Sequence, residues 1–301
     1  MRGAVVTRAL GVDLGGTKLL ACVADHEGRL LGRTQRPTGR GTGPSDALRL
    51  IVDVAAELGD AVGPFQCVGV GFPGQVDFAA SVARASVMLD GWREVPLGDW
   101  VARELGVPCA VDNDVNVAAL AELKQREGEI PESMLFVAVG TGIGGAITIG
   151  NRLWRGHTGV AGEIGNVTID RHGLPCWCGR RGCLNTCASG AAIEHALEPG
   201  VPLAEQVRAG HPRLERVLDE AATSLGIGLA NALNLLNPAL VVLGGGVAQL
   251  GPRFLEAVVR TARAEAFPEA GLCRFELARA GYEAGAMGAA LLAMDRPHET
   301  R

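Results

Sequence analysis

The chain has 301 residues, enough for two cores, and 48% of them are hydrophobic, which excludes a disordered protein. A net charge of −5 argues against nucleic acid as a partner, and no apolar run approaches a membrane span. Its 43 glycines against seven Phe, four Trp and one Tyr describe an α/β protein with many tight turns. The stretch from Met1 to Ala9 is too short and polar for a signal peptide, so the protein is expected to be cytoplasmic. Its eight cysteines are then expected to be thiols or metal ligands rather than disulfides.

In chain order, strands are expected near 8–14, 19–24 and 29–35. The first turn, Asp13-Leu14-Gly15-Gly16-Thr17-Lys18, lies in GVDLGGTKLLACV and has a counterpart, Gly140-Thr141-Gly142-Ile143-Gly144-Gly145, in FVAVGTGIGGAITIG. Each copy is an apolar strand, a glycine turn and a second apolar strand, the mark of an internal repeat. Glycine allows positive φ and close approach of backbone N–H groups to a ligand, and Thr adds a hydroxyl, so both turns suit phosphate. Asp13 ends a buried strand, where a carboxylate without a cation or hydrogen bonds costs several kcal/mol. No GxxxxGK[ST] string occurs, and each turn leads into a strand rather than a helix. A nucleotide held between two related lobes is the expected arrangement.

Residues 38–44 form a glycine-rich loop, expected to be flexible. Ser45 is the expected N-cap of a helix with Leu48, Ile51, Val52, Ala55 and Leu58 on one face. A buried strand at Cys67–Phe72, a helix at Leu97–Leu105 and a strand at 107–111 follow. That strand ends in Asp112-Asn113-Asp114-Val115-Asn116, before a helix at 117–124. The far end of a strand is where an α/β sheet gathers ligands. Asp114 is placed to accept the proton of an attacking hydroxyl and Asn113 to bind a neighbouring one. Capping of the helix explains Asp112 and Asp114 equally well from the residues alone. Farther on come a helix at Leu214–Leu236, a strand at 240–243 running into Gly244-Gly245-Gly246, and a small-residue segment at 285–290.

Cys176, Cys178 and Cys183 form C-x-C-x4-C with Gly179 and Gly182 at the bends. Three such cysteines in a cytosolic protein fit tetrahedral zinc.

GVDLGGTK, GVGFPGQVD, VDNDVNVAALAE, VGTGIGGAI, GVAGEIGN, CWCGRRGCLN and LGGGVA occur in the order and spacing of the ROK family of bacterial sugar kinases and repressors, which the chain resembles over nearly its whole length. The resemblance implies an actin-like (ribonuclease H-like) two-domain α/β fold. It also implies transfer of the γ-phosphate of ATP, with Mg²⁺, to a sugar hydroxyl, usually the 6-hydroxyl of a hexose. Asp114 matches the catalytic base, with Gly74, Asn113, Glu163, Asn166 and Asn185 at the sugar. Asp13, Gly15, Gly16, Thr17 and Lys18 match one phosphate loop, Thr141, Gly142 and Gly144 the other, and Gly244, Gly245 and Gly246 the segment near the adenosine. The domains are expected at 1–115, rejoined by a C-terminal helix at 285–301, and at 116–284. A homodimer or homotetramer is expected, without nucleic-acid or membrane partners.

The chain departs from the family at residues 85–92, where the Asn of a PNLPGW-like segment has no clear counterpart, and at two further positions. The family's EIGH histidine, a zinc ligand and sugar contact, is Asn166 here, and the Glu following GCL is Asn185. Structural Zn²⁺ therefore needs another fourth ligand. His172, on the loop leading to Cys176, is expected to supply it, with Cys187 as the alternative. The paired change to amides makes an amino sugar or cyclitol a rival to glucose as acceptor. Only twelve residues precede Asp13, so a winged-helix repressor is not expected; a sugar-binding regulatory protein is the non-enzyme alternative.

Overall fold

Two glycine-interrupted apolar runs fold into two hairpins, and each hairpin begins a five-stranded sheet in a computed structural model that describes residues 8–295. In the first, β1 (Arg8–Leu14), β2 (Lys18–Asp25) and β3 (Leu30–Pro37) form an antiparallel meander. Helix α1 (Pro44–Val62) leads to β4 (Cys67–Phe72), parallel to β1. A small antiparallel sheet of β5 (Gly74–Asp77), β6 (Val82–Ser86) and β7 (Arg93–Val95) follows, then α2 (Leu97–Leu105), β8 (Cys109–Asn113) parallel to β4, and α3 (Asp114–Lys124). The strand order is β3-β2-β1-β4-β8.

The second sheet repeats this plan. Strands β9 (Ser133–Val139), β10 (Ile143–Ile149) and the two-residue β11 (Arg152–Leu153) make the meander. After the short helices α4 (Asn185–Ala188), α5 (Gly190–Leu197) and α6 (Leu203–Arg208), the long α7 (Leu214–Leu236) precedes β12 (Leu240–Gly244). Helix α8 (Pro252–Glu265) then connects to β13 (Arg274–Leu277). The order β11-β10-β9-β12-β13 has the same pattern of antiparallel and parallel neighbours as the first sheet, which is the duplicated, actin-like α/β plan.

Contacts divide the chain into two units. The first holds the described residues up to 130, residues 155–160 and those from 279 onward; the second holds 131–154 and 161–278. Helix α3 thus groups with the first unit, whereas the sequence reading ended that lobe at 115. Residues 296–301 of the expected C-terminal helix, and 1–7 of the chain, lie outside the described residues. The last helix, α9 (Ala284–Asp295), packs on β1, β4 and α3. Each unit has its own apolar core, one built on α1 and Val12, Val70 and Phe72, the other on α7 and Val137, Leu225 and Val241. Among the described residues no helix is long and apolar enough to cross a membrane.

Small residues decide how α9 is seated. A Cβ on Gly11 would lie 1.9 Å from the Ala286 carbonyl oxygen, one on Gly69 1.8 Å from that of Ala289, and one on Gly288 1.6 Å from that of Val117. These are backbone-to-backbone approaches that side-chain rotation cannot relieve. Helix α1 starts two residues earlier than expected: Gly43 is its N-cap and Pro44 its first residue, where the fixed φ suits a helix and the missing N–H is not needed.

Gly69→Ala should destabilise the protein by about 3 kcal/mol or more, the upper part of the range for overpacked cores, in urea unfolding. A loss below about 1 kcal/mol would show that α9 does not need so close a seat.

Candidate active site

In the first unit the turn is residues 15–17, because β1 runs to Leu14 and β2 starts at Lys18. The Gly15 N–H donates to the Lys18 carbonyl at 2.8 Å. Thr38 holds the turn from the next loop, its hydroxyl donating to the Gly15 carbonyl at 2.7 Å and its N–H to that of Thr17 at 3.0 Å. The 38–44 loop is further fastened by Trp92 Nε1, which donates to the Thr42 carbonyl at 3.1 Å. The expected flexible loop is thus tied at both ends.

Asp13 pairs in β1 with Leu20 of β2 and Gly71 of β4. Burial pushes its carboxyl up to about 6, against the pull of Lys18. Gly285 of α9 makes room for it, since a Cβ there would lie 2.3 Å from Asp13 Oδ2. The Lys18 ammonium rests 3.7 Å above the Tyr282 ring.

At the β8–α3 junction the capping residue is Asn113, neither of the aspartates. Its Oδ1 accepts the N–H groups of Val115 and Asn116, and its Nδ2 donates to the Gly74 carbonyl at 3.2 Å. Asp114 occupies the first turn of α3, its Oδ1 accepting the Val115 N–H at 2.9 Å. Gly71 lets this turn lie against β4, for a Cβ there would meet Val117 Cγ2 at 2.7 Å. Buried Asp112 accepts from Asn116 Nδ2 and from Arg155, a residue that sequence reasoning missed because nothing in its spacing links it to position 112.

In the second unit the matching turn is residues 140–142; Gly144 lies inside β10 opposite Ala138. The carbonyls of Gly140 and Thr141 accept the N–H groups of Gly190 and Ala191 at the start of α5. Gly244 ends β12. Gly245, at φ 85°, turns the chain so tightly that a Cβ would lie 2.4 Å from the Val139 carbonyl oxygen, whereas a Cβ on Gly246 beyond it would meet nothing within 4 Å.

Glu163 is placed by another close approach. A Cβ on Gly162, at φ 94°, would lie 2.4 Å from the Gly145 carbonyl oxygen, which presses the 162–165 segment onto β10. Surrounding protein raises the Glu163 pKa, while a hydrogen bond from Asn166 Nδ2 at 2.9 Å acts in the opposite direction. Asn166 Oδ1 in turn accepts from Asn185 Nδ2 at 3.3 Å, and Asn185 Oδ1 accepts the Ile143 N–H at 2.7 Å. Asn185 is buried, and both polar atoms of its amide are engaged by the chain itself.

The thiols of Cys176, Cys178 and Cys183 converge, their sulfurs all within 4.8 Å of one another. The Arg180 N–H above all draws the Cys178 thiol down to about 6, and burial first pushes Cys183 up to about 12. His172 does not join them: it is exposed, with its backbone N–H bound to Asp170 Oδ1, which fixes the turn but leaves the ring outside the cluster. Cys187 is also outside. Three soft donors at this spacing fit zinc, with no fourth protein ligand converging among the described residues.

Known proteins resemble the chain in sequence and in fold. The chain is 32% identical to a glucokinase of Halalkalibacterium halodurans, with 97% of this chain and 98% of that protein covered. It is 33% identical to an N-acetylmannosamine kinase of Yersinia pseudotuberculosis, with 95% and 98% covered. The structure of a ROK-family glucokinase from Streptomyces griseus, in complex with glucose and AMPPNP, superposes with a TM-score of 0.81 at 32% identity over 95% of this chain and 99% of that one. The ROK family model matches residues 9–296, and the chain belongs to that family.

Proposed function

We propose that this ATP-dependent sugar kinase transfers the γ-phosphoryl group of MgATP to the primary 6-hydroxyl of a hexose or hexose-like acceptor, with Asp114 as the general base. The observation that carries the reading is the occurrence in one chain of two duplicated glycine hairpins and of a carboxylate held in the first turn of α3. Phosphoryl transfer asks a protein mainly for positioning and charge neutralisation. Backbone N–H groups of the 15–17 and 140–142 turns, with Lys18, are proposed to bind the phosphates, and Gly245 and Gly246 to border the adenosine. The magnesium of the nucleotide substrate supplies charge neutralisation, and Asp13 is the carboxylate proposed to face it. Asp114 takes the proton of the attacking hydroxyl. Asn113 spends its side-chain oxygen on the helix and its amide on Gly74, so its proposed part is to present the Gly74 segment and Asp114 together.

Glu163 is the carboxylate proposed to receive further acceptor hydroxyls, oriented by Asn166 and, behind it, Asn185. A second reading takes an amino sugar as acceptor. It rests on those two amides and on a relative of similar identity that is an N-acetylmannosamine kinase. Cys176, Cys178 and Cys183 would hold a structural zinc ion, which would cross-link the 170–183 loop. A homo-oligomer is part of the same reading.

ADP release measured with a panel of sugars should be stimulated by at least one hexose, and absence of stimulation by any sugar would favour a regulatory sugar-binding protein. Asp114→Asn should lower kcat about 10²–10⁴-fold while leaving nucleotide binding intact; near-normal turnover would remove Asp114 from the base role. In the same assay, a kcat/KM for N-acetylmannosamine about tenfold or more above that for glucose is expected under the amino-sugar reading, since one matched polar contact contributes about 1–3 kcal/mol. Preference for glucose would discard that reading. Metal analysis of protein prepared without chelator should find zinc at about one per chain, lost in Cys178→Ser and kept in His172→Ala. Metal-free native protein would mean reduced thiols alone.

A further inference from the structure

The loop after β11 brings a charge to the β8–α3 junction from 43 residues away. Arg155 Nε and one of its Nη atoms reach Asp112 Oδ2 at 2.8 and 2.7 Å, and the guanidinium lies 3.6 Å above the Phe78 ring. Gly159, at φ 85°, turns the same loop against β5, where a Cβ would lie 2.8 Å from the Val76 carbonyl oxygen. The Asp112 side chain is 3% exposed, so its charge requires a partner.

The other Asp112 oxygen accepts the Asn113 N–H at 2.8 Å and Asn116 Nδ2 at 2.9 Å. The Asn116 N–H returns to Asn113 Oδ1 at 3.2 Å, and the Val115 N–H is shared between Asn113 Oδ1 and Asp114 Oδ1, both at 2.9 Å. These bonds close a loop among Asp112, Asn113 and Asn116, and Asp114 is tied to it through the shared Val115 N–H. Arg155 is the charged member of that network contributed by a distant part of the sequence, and it grips Asp112 Oδ2 through two donors on one edge of a planar fork.

We propose that Arg155 is a positioning residue for phosphoryl transfer: by clamping Asp112 it holds the β8–α3 junction in the geometry from which Asp114 reaches the acceptor hydroxyl. The inference rests on the reading of Asp114 as the base. A pair that served stability alone would change the unfolding midpoint and leave turnover untouched, whereas a positioning role separates kcat from KM. Lysine at 155 keeps the charge but presents a single point donor in place of the fork.

The test is steady-state kinetics of the full chain with MgATP and the sugar that stimulates ADP release, beside thermal unfolding. Arg155→Met is expected to lower kcat on the order of a hundredfold, the scale of an ångström-sized misplacement, and Arg155→Lys about tenfold, each with KM for MgATP within about twofold. A kcat for Arg155→Met within about twofold of the parent, whatever its melting temperature, overturns the proposal. Should Arg155→Met fail to fold, Arg155→Lys decides by the same criterion. Full turnover in an Arg155 variant beside an inactive Asp114→Asn enzyme removes this inference only; full turnover in Asp114→Asn removes the base assignment and the inference with it.

Discussion

The backbone of α9 lies against the backbones of β1, β4 and α3, and the first unit's candidate groups take their places from that contact. Gly11 and Gly69 present bare strand to the helix, and Gly288 presents bare helix to α3 at the Val117 carbonyl. The same helix receives the Asp13 carboxylate over Gly285. One rigid element thus fixes the end of β1 and the direction of α3, on whose first turn Asp114 sits. Close-packed interiors transmit displacement rather than absorb it, so a shift of α9 would reach both carboxylates.

Charge buried in this unit holds the same parts from the other side. Glu122 of α3 is wholly buried and accepts from Arg126 Nε at 2.9 Å and from the N–H groups of Arg279 and Ala280, both at 2.9 Å. Those two N–H groups belong to the segment that leads the chain into α9. A carboxylate withdrawn from water is tolerated when such donors surround it, and its removal would leave buried donors unmatched. Glu122 therefore anchors the segment ahead of α9, as Asp112 braces the junction that Asn113 caps ahead of α3.

Much of this was legible in the residues. Periodicity and glycine punctuation located β1 to β4, the helices at Leu97–Leu105 and Leu214–Leu236, and both hairpins, because apolar alternation and tight turns are local properties. The three-stranded sheet of β5 to β7 was not read, since its short strands are only partly buried and carry mixed polarity. Arg155 was invisible because its partner is distant in sequence. His172 looked apt as an imidazole on the loop leading to Cys176, yet ring placement depends on the local turn, and the residue is exposed. The hydrogen bond of Asn185 to the Ile143 N–H was equally invisible, since it joins positions far apart in sequence.

The duplicated plan also has a consequence in time. The glycine-bearing faces of β1 and β4 are covered by residues 284–295, and the whole second unit is encoded between those strands and their cover. During synthesis the second unit can bury its core while the first still lacks a packed face. Closing so long a loop is a non-local step, slow relative to local pairing. The first unit thus matures last although its strands emerge first, and the interval leaves an apolar sheet open to chaperones and to misassembly until α9 docks.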